Sequence, residues 1–171
     1  MEQIVGLLEN TPLFSRFDRW TLQYMAGLAQ RRKYKPDRWL FRESDPRGWF
    51  GVVQEGEVRI MRGLDDGQIC LAVLGRGGIL SERIVLDDLP HTVSGYTTKG
   101  AVVVQFPRKV LNRIKEDRPD LHYRIAARIK QLISDRMRYS AERLTIEDVS
   151  HLERDAGSGR MEGIWGILGK G

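Results

Sequence analysis

The stretch Leu74-Gly75-Arg76-Gly77-Gly78-Ile79-Leu80-Ser81-Glu82, continuing through Arg83 to Pro90-His91-Thr92-Val93-Ser94, concentrates the chemistry of this chain and decides its fold. Its glycines interrupt an apolar run, and Ser81-Glu82 then suits the start of a short helical turn. A helix start leaves backbone N–H groups without partners in its own ladder. Those groups and the local dipole favour an anion, and glycines let a ligand approach the backbone. Glu82 offers an acceptor for a ligand hydroxyl, while His91 and Thr92 on the following segment are placed to meet a phosphate. The candidate ligand-binding residues are therefore Gly78, Ile79, Leu80, Ser81, Glu82, His91 and Thr92. The plainer alternative is a surface turn capped by Ser81.

Outward from this turn, Gln30 to about Phe106 consists of short runs rich in β-branched and aromatic residues, punctuated by glycines. Such spacing points to an all-β sandwich or barrel. Strands are expected at Trp39–Arg42, Trp49–Gln54, Glu57–Arg62, Gln68–Leu74, His91–Thr98 and Ala101–Phe106. Glu55-Gly56 and Asp65-Asp66-Gly67 supply hairpin turns, since glycine takes the left-handed conformation cheaply. Asp45-Pro46-Arg47-Gly48 is a further turn, with proline presetting φ.

Both ends flank this β region with helical periodicity. The first thirty residues read as helical, with Trp20, Leu22, Met25 and Leu28 apolar in Asp18 to Ala29 and Asp18 available as the cap. Past Pro107, helices are expected over Arg108–Glu116 and, with Pro119 in its first turn, over a long segment reaching Leu144. Leu121, Ile125, Ile129, Leu132, Ile133, Met137 and Leu144 form one apolar stripe on it. Such a helix is roughly 39 Å long, longer than a small β domain covers. The stripe packs on its own domain or pairs with the same helix of a second subunit, and its length favours a homodimer through 119–145. The domain thus spans 1–145, and 146–171 is a glycine-rich segment, either a flexible tail or a short apolar peptide that docks on a partner.

A chain of 171 residues with 41% hydrophobic and 30% charged residues has room for one globular core. The apolar runs are too short for a membrane span, and Met1–Asn10 lacks a signal peptide's pattern. A single cysteine, Cys70, forbids an internal disulfide and points to the cytoplasm. It lies in an apolar strand run and reads as a buried small hydrophobe, not a nucleophile. The net charge of +5 is spread over Arg31 to Lys33, Arg108 to Lys115 and Arg124 to Arg143, a distribution typical of solvated faces.

The span from about Leu13 to Leu144 resembles the cyclic-nucleotide-binding domains of the catabolite-activator and kinase-regulatory families. Leu13-Phe14 resembles the family's opening, and Leu40-Phe41-Arg42-Glu43-Ser44-Asp45-Pro46 its second-strand signature. Phe50 to Arg59 is similar to the next hairpin, and Leu74 to Glu82 stands at the phosphate-binding cassette. The resemblance implies a mainly β fold, a β-roll (double-stranded β-helix, jelly-roll-like) with N-terminal helices and a long C-terminal helix. It implies a regulatory sensor that binds cyclic AMP (cAMP) or cyclic GMP (cGMP) and signals through that helix, with no cofactor.

In that family a cassette glutamate binds the ribose 2′-hydroxyl and an arginine nine residues later binds the cyclic phosphate. Glu82 matches the first, but His91 stands at the second, and Ser81 replaces the usual glycine. Arginine is a permanently charged fork, whereas histidine near pH 7 is mostly neutral. Either Arg83 or a protonated His91 substitutes for the arginine, or the pocket has moved to another ligand or none. In the last case the domain is a ligand-free dimerisation or interaction module, or the regulatory fragment of a larger effector.

An enzyme is not expected. His91, His122 and His151 lack metal-ligand spacing, and no G-x-S-x-G or P-loop pattern occurs. A DNA-binding module is not expected either, because the stretch after the long helix is short, glycine-rich and net acidic.

Overall fold

The computed structural model of the chain describes residues 1–65 and 67–143, the side chains of 137–143 excepted. The 146–171 tail, Leu144, Asp66 and His151 lie outside the described residues, as does the side chain of Met137.

Two short helices open the chain, α1 (Glu2–Glu9) and α2 (Arg19–Leu28). Asp18 caps α2, accepting from the Thr21 backbone N–H at 2.9 Å and from the Thr21 hydroxyl at 2.7 Å. Leu22, Met25 and Ala26 then fall on one helical face and are buried.

Eight strands follow: β1 (Gln30–Tyr34), β2 (Arg38–Phe41), β3 (Trp49–Gly56), β4 (Val58–Leu64), β5 (Gly67–Leu74), β6 (Ile79–Leu80), β7 (Ser94–Thr97) and β8 (Ala101–Pro107). They form two antiparallel four-stranded sheets, ordered β1-β8-β3-β6 and β2-β7-β4-β5. This is the mainly β roll with flanking helices that the sequence implies. Five of the six expected strands lie within two residues of their bounds. The sixth starts later, at Ser94, because the His91 backbone bonds instead to the turn after β2: its N–H donates to the Asp45 carbonyl and its carbonyl accepts from Ser44.

Side chains alternate across β3 and β8, so each strand serves two cores. Phe50, Val52, Val104 and Phe106 face the helices and meet Phe14, while Val53 and Val103 face the opposite sheet and meet Leu40, Val58 and Leu80. Gly56 ends β3 at φ +76°, a left-handed conformation, and a Cβ there would run into the Gly100 carbonyl.

Helices α3 (Arg108–Asp117) and α4 (Pro119–Arg143) close the fold. Leu121, Ile125 and Ile129 of α4 are each 1% exposed and belong to the core beneath the helices, with Leu132 and Ile133 packed against it. The first two-thirds of the stripe is thus held by the chain's own domain. Two α4 cations make contacts at the surface: Arg124, itself exposed, lies 4.7 Å over the Phe17 ring, and Arg128 donates to the Pro12 carbonyl at 3.2 Å. Cys70 corrects the sequence reading too. It is exposed, because β5 is an edge strand and a register shift opposite Ile60 and Met61 breaks the regular alternation at that point.

Candidate functional site

The Gly75–Gly78 turn carries the chain from β5 to β6, and a 3-10 turn, Glu82–Val85, follows at once. Gly77 donates to the Val53 carbonyl at 2.8 Å and Gly78 to the Gly75 carbonyl at 2.9 Å. Those two amides are therefore engaged with protein. A Cβ on Gly78 would lie 2.7 Å from the Leu74 Cβ, so this glycine permits close packing and stands behind the wall of the site.

Ser81 joins β6 to the 3-10 turn in the left-handed conformation, φ +60°. It makes no side-chain capping bond, and its hydroxyl oxygen is buried without a partner. A serine held in glycine's conformation with an unsatisfied hydroxyl is doubly unfavourable.

Around this turn lies a cavity of about 340 Å³. Ile79, Leu80, Ser81, Glu82 and Thr92 line it, together with His91. The structure thus brings together six of the seven residues singled out in the sequence. Ile60 and Leu74 of the β4–β5 hairpin add apolar wall, and Phe41 adds an aromatic face. Among the described residues, four arginines, Arg47, Arg62, Arg83 and Arg136, also reach the wall, against the single carboxylate of Glu82. A cavity of this mix suits a ligand with an apolar body and a negative group.

His91 does not fit the role of a charged phosphate clamp. It is 6% exposed and stacks on Phe41, ring centroids 4.3 Å apart at 16°. Burial first, then the charge of Arg47, lowers its pKa to about 4, against the opposing pull of Asp45. The imidazole is neutral near pH 7. Its ring and that of Phe41 make a flat panel in the wall.

Arg47 occupies the interior beside it. Its side chain is 3% exposed and is ion-paired to Asp87, just past the 3-10 turn. Burial pushes Asp87 up, but the hydrogen bonds from Arg47 and the Leu89 amide, with the charges of Arg47 and Arg83, outweigh it and leave its carboxyl below the ordinary value. Arg108 donates twice to the Arg47 carbonyl, at 3.1 and 2.7 Å, and pairs with Asp88. This network staples the segment after the 3-10 turn to the β2–β3 connection and to α3.

Arg136 arrives from α4. Its Nη1 lies 3.2 Å from Glu82 Oε1, so the cavity's carboxylate is joined directly to the long helix. Arg47, Arg62, Arg136 and Phe41 escaped the sequence reading of the site. For Arg47 the local signal was only a turn, and for Arg136 only a basic flank of the apolar stripe. Among the described residues, no cluster of His, Cys, Asp or Glu is arranged to hold a metal, and no helix is long and apolar enough to cross a membrane.

A family model described as "Cyclic nucleotide-binding domain" matches residues 31–118, just over half of the chain. Among curated proteins, the lysophospholipase nte1 of Neurospora crassa is 29% identical over 101 residues, 56% of this chain and 7% of that protein. The cAMP-dependent protein kinase type II regulatory subunit of Drosophila melanogaster is 22% identical over 100 residues, 58% of this chain and 26% of that protein. The chain therefore matches only a small part of the length of either relative. Among solved structures, a cyclic nucleotide-binding domain from Methylobacillus flagellatus superposes with a TM-score of 0.71 at 24% identity, covering 84% of this chain and 81% of that one. That likeness is one of fold.

Proposed function

The chain belongs to the cyclic nucleotide-binding domain family, and from that premise we propose that it is a regulatory sensor domain for a cyclic mononucleotide or related anionic ligand. The ligand enters the cavity beside the 3-10 turn, offers a hydroxyl to Glu82 and satisfies the stranded hydroxyl of Ser81. The observation that carries this reading is the Glu82–Arg136 pair in the cavity wall. A ligand hydroxyl on Glu82 competes with Arg136, and α4 takes a different arrangement when the pair opens. A ligand moves a helix only through its unequal affinity for two such arrangements.

The domain acts in the cytoplasm and is not itself catalytic; its output passes to a second copy or to an attached effector. Short coverage of both curated relatives supports the regulatory fragment of a larger protein. Calorimetry and thermal shift with cAMP and cGMP test the proposal. Heat and an increase in melting temperature are expected. Neither signal at millimolar nucleotide would overturn it.

A second reading, a ligand-free dimerisation or interaction module, draws on the same geometry. Arg136 already occupies Glu82, and His91 stands buried and neutral where the family carries arginine. Absence of nucleotide binding together with a concentration-dependent dimer favours it.

A further inference from the structure

We propose that Arg47, and not His91, receives the anionic group of the ligand, and that the ligand displaces Asp87 from it. This rests on the reading above that an anionic nucleotide occupies the cavity.

Solvent exposure separates the four arginines of the wall. Arg62 and Arg83 are exposed cavity residues, with the Arg83 side chain 53% open to solvent, and Arg136 faces Glu82. Arg47 alone among these four is desolvated, its side chain 3% exposed. A buried charge interacts far more strongly with an incoming anion than a solvated one. Guanidinium also offers a planar fork that takes two phosphate oxygens at once. Among the described residues, Arg47 uses only Nη1 in a side-chain hydrogen bond, to Asp87 Oδ1.

Placement comes from the backbone. The doubled bond from Arg108 fixes the Arg47 carbonyl, and Asp88 fixes Arg108 in turn. The turn Asp45-Pro46-Arg47-Gly48 is tied to the His91 strand approach by the Ser44 and Asp45 bonds. Arg47 therefore stands next to the position where the family places its arginine, supplied by a different part of the chain. Asp87 is suited to yield: Arg83 lies 3.5 Å from its other oxygen and keeps it paired when Arg47 turns to the ligand.

Calorimetry on the full chain tests this with two probes, cAMP and the uncharged nucleoside adenosine. Wild type is expected to bind cAMP more tightly than adenosine. In Arg47→Gln, cAMP affinity is expected to fall by about tenfold or more, the worth of a charge-assisted bond, with adenosine affinity unchanged. Retained adenosine binding certifies the fold. Asp87→Asn keeps the arginine and removes its competitor, so cAMP affinity rises while adenosine affinity holds; this variant decides the matter if Arg47→Gln does not fold. Equal loss of both probes, no change in cAMP affinity in a folded variant, or equal wild-type affinities would overturn the role of Arg47 and leave the sensor reading standing. Binding of neither probe by wild type removes both.

Discussion

Glu82 in the cavity wall and Arg136 in α4 are ion-paired at 3.2 Å across 54 residues of sequence. The pair joins the carboxylate that, among the described residues, stands alone in the cavity wall to the long helix α4. Its partners are partly solvated, with side chains 18% and 41% exposed, so its direct worth to stability is about 1 kcal/mol or less.

Removing Arg136 should therefore affect binding more than folding. In Arg136→Gln, nucleotide affinity is expected to rise severalfold, because the ligand hydroxyl no longer displaces a cation from Glu82, while the melting temperature changes little. Glu82→Gln, in contrast, keeps only a neutral amide oxygen in place of the charged carboxylate acceptor and weakens binding. Titration calorimetry beside thermal melts reads both. Weaker binding in Arg136→Gln would mean that α4 supplies a ligand contact and does not compete for one.

His91 predicts a distinct pH profile. Unfolded, it titrates near 6.5; folded, burial and Arg47 hold it to about 4, with Asp45 opposing. Between those values the unfolded chain binds more protons, so stability falls as pH drops through that window. From pH 7.5 to 4.5 the loss from this group is about 2–3 kcal/mol. Asp87 is shifted in the same direction, downward, so its stabilisation is likewise present above its ordinary value and lost as pH falls below that value. Urea unfolding of wild type and His91→Gln checks the assignment: the variant should show a shallower fall across pH 6.5 to 4.5. Identical slopes would place the histidine in water. Nucleotide affinity should stay flat through pH 6.5, contrary to a protonated His91 gripping phosphate.

The long helix invites a different substitution. Charge at Ile129 reads from sequence as a way to split a dimer, yet Ile129 is 1% exposed within its own domain's core. Ile129→Ala is expected to cost about 2–4 kcal/mol by leaving a cavity, visible as a lower melting temperature. Sedimentation of the folded fraction should not change. An unaltered melting temperature with a shift to monomer would show that this part of the stripe faces a second copy.

These cases show what a sequence can and cannot reveal here. Strands β3 and β8 were legible because turns bound runs of β-branched residues, and α2 because Asp18 precedes an apolar period. Strand β1 was not: Gln30-Arg31-Arg32-Lys33-Tyr34 pairs at a sheet edge, four of its five residues are exposed, and no alternation marks it. Strand β6 is two residues long. In the site, Glu82 and His91 were legible by position in an ordered pattern. Arg47 was not, because its burial depends on Asp87, 40 residues on. Nor could spacing reveal that His91 lies flat against Phe41.

That stacking depends on a missing side chain. Gly95 in β7 pairs with Phe41 in β2, and a Cβ at Gly95 would lie 2.5 Å from the Phe41 ring. The ring is a rigid plate with His91 on it, so it cannot move aside without carrying the imidazole along. Gly95→Ala is therefore expected to destabilise by about 1–3 kcal/mol through overpacking, and to disturb the cavity wall. If the wall shapes the ligand site, nucleotide affinity falls together with stability, and the His91 imidazole resonances shift in NMR spectra. Phe41→Leu in the Gly95→Ala background removes the clash and should recover part of the stability. A double variant no more stable than Gly95→Ala would locate the strain elsewhere in β7.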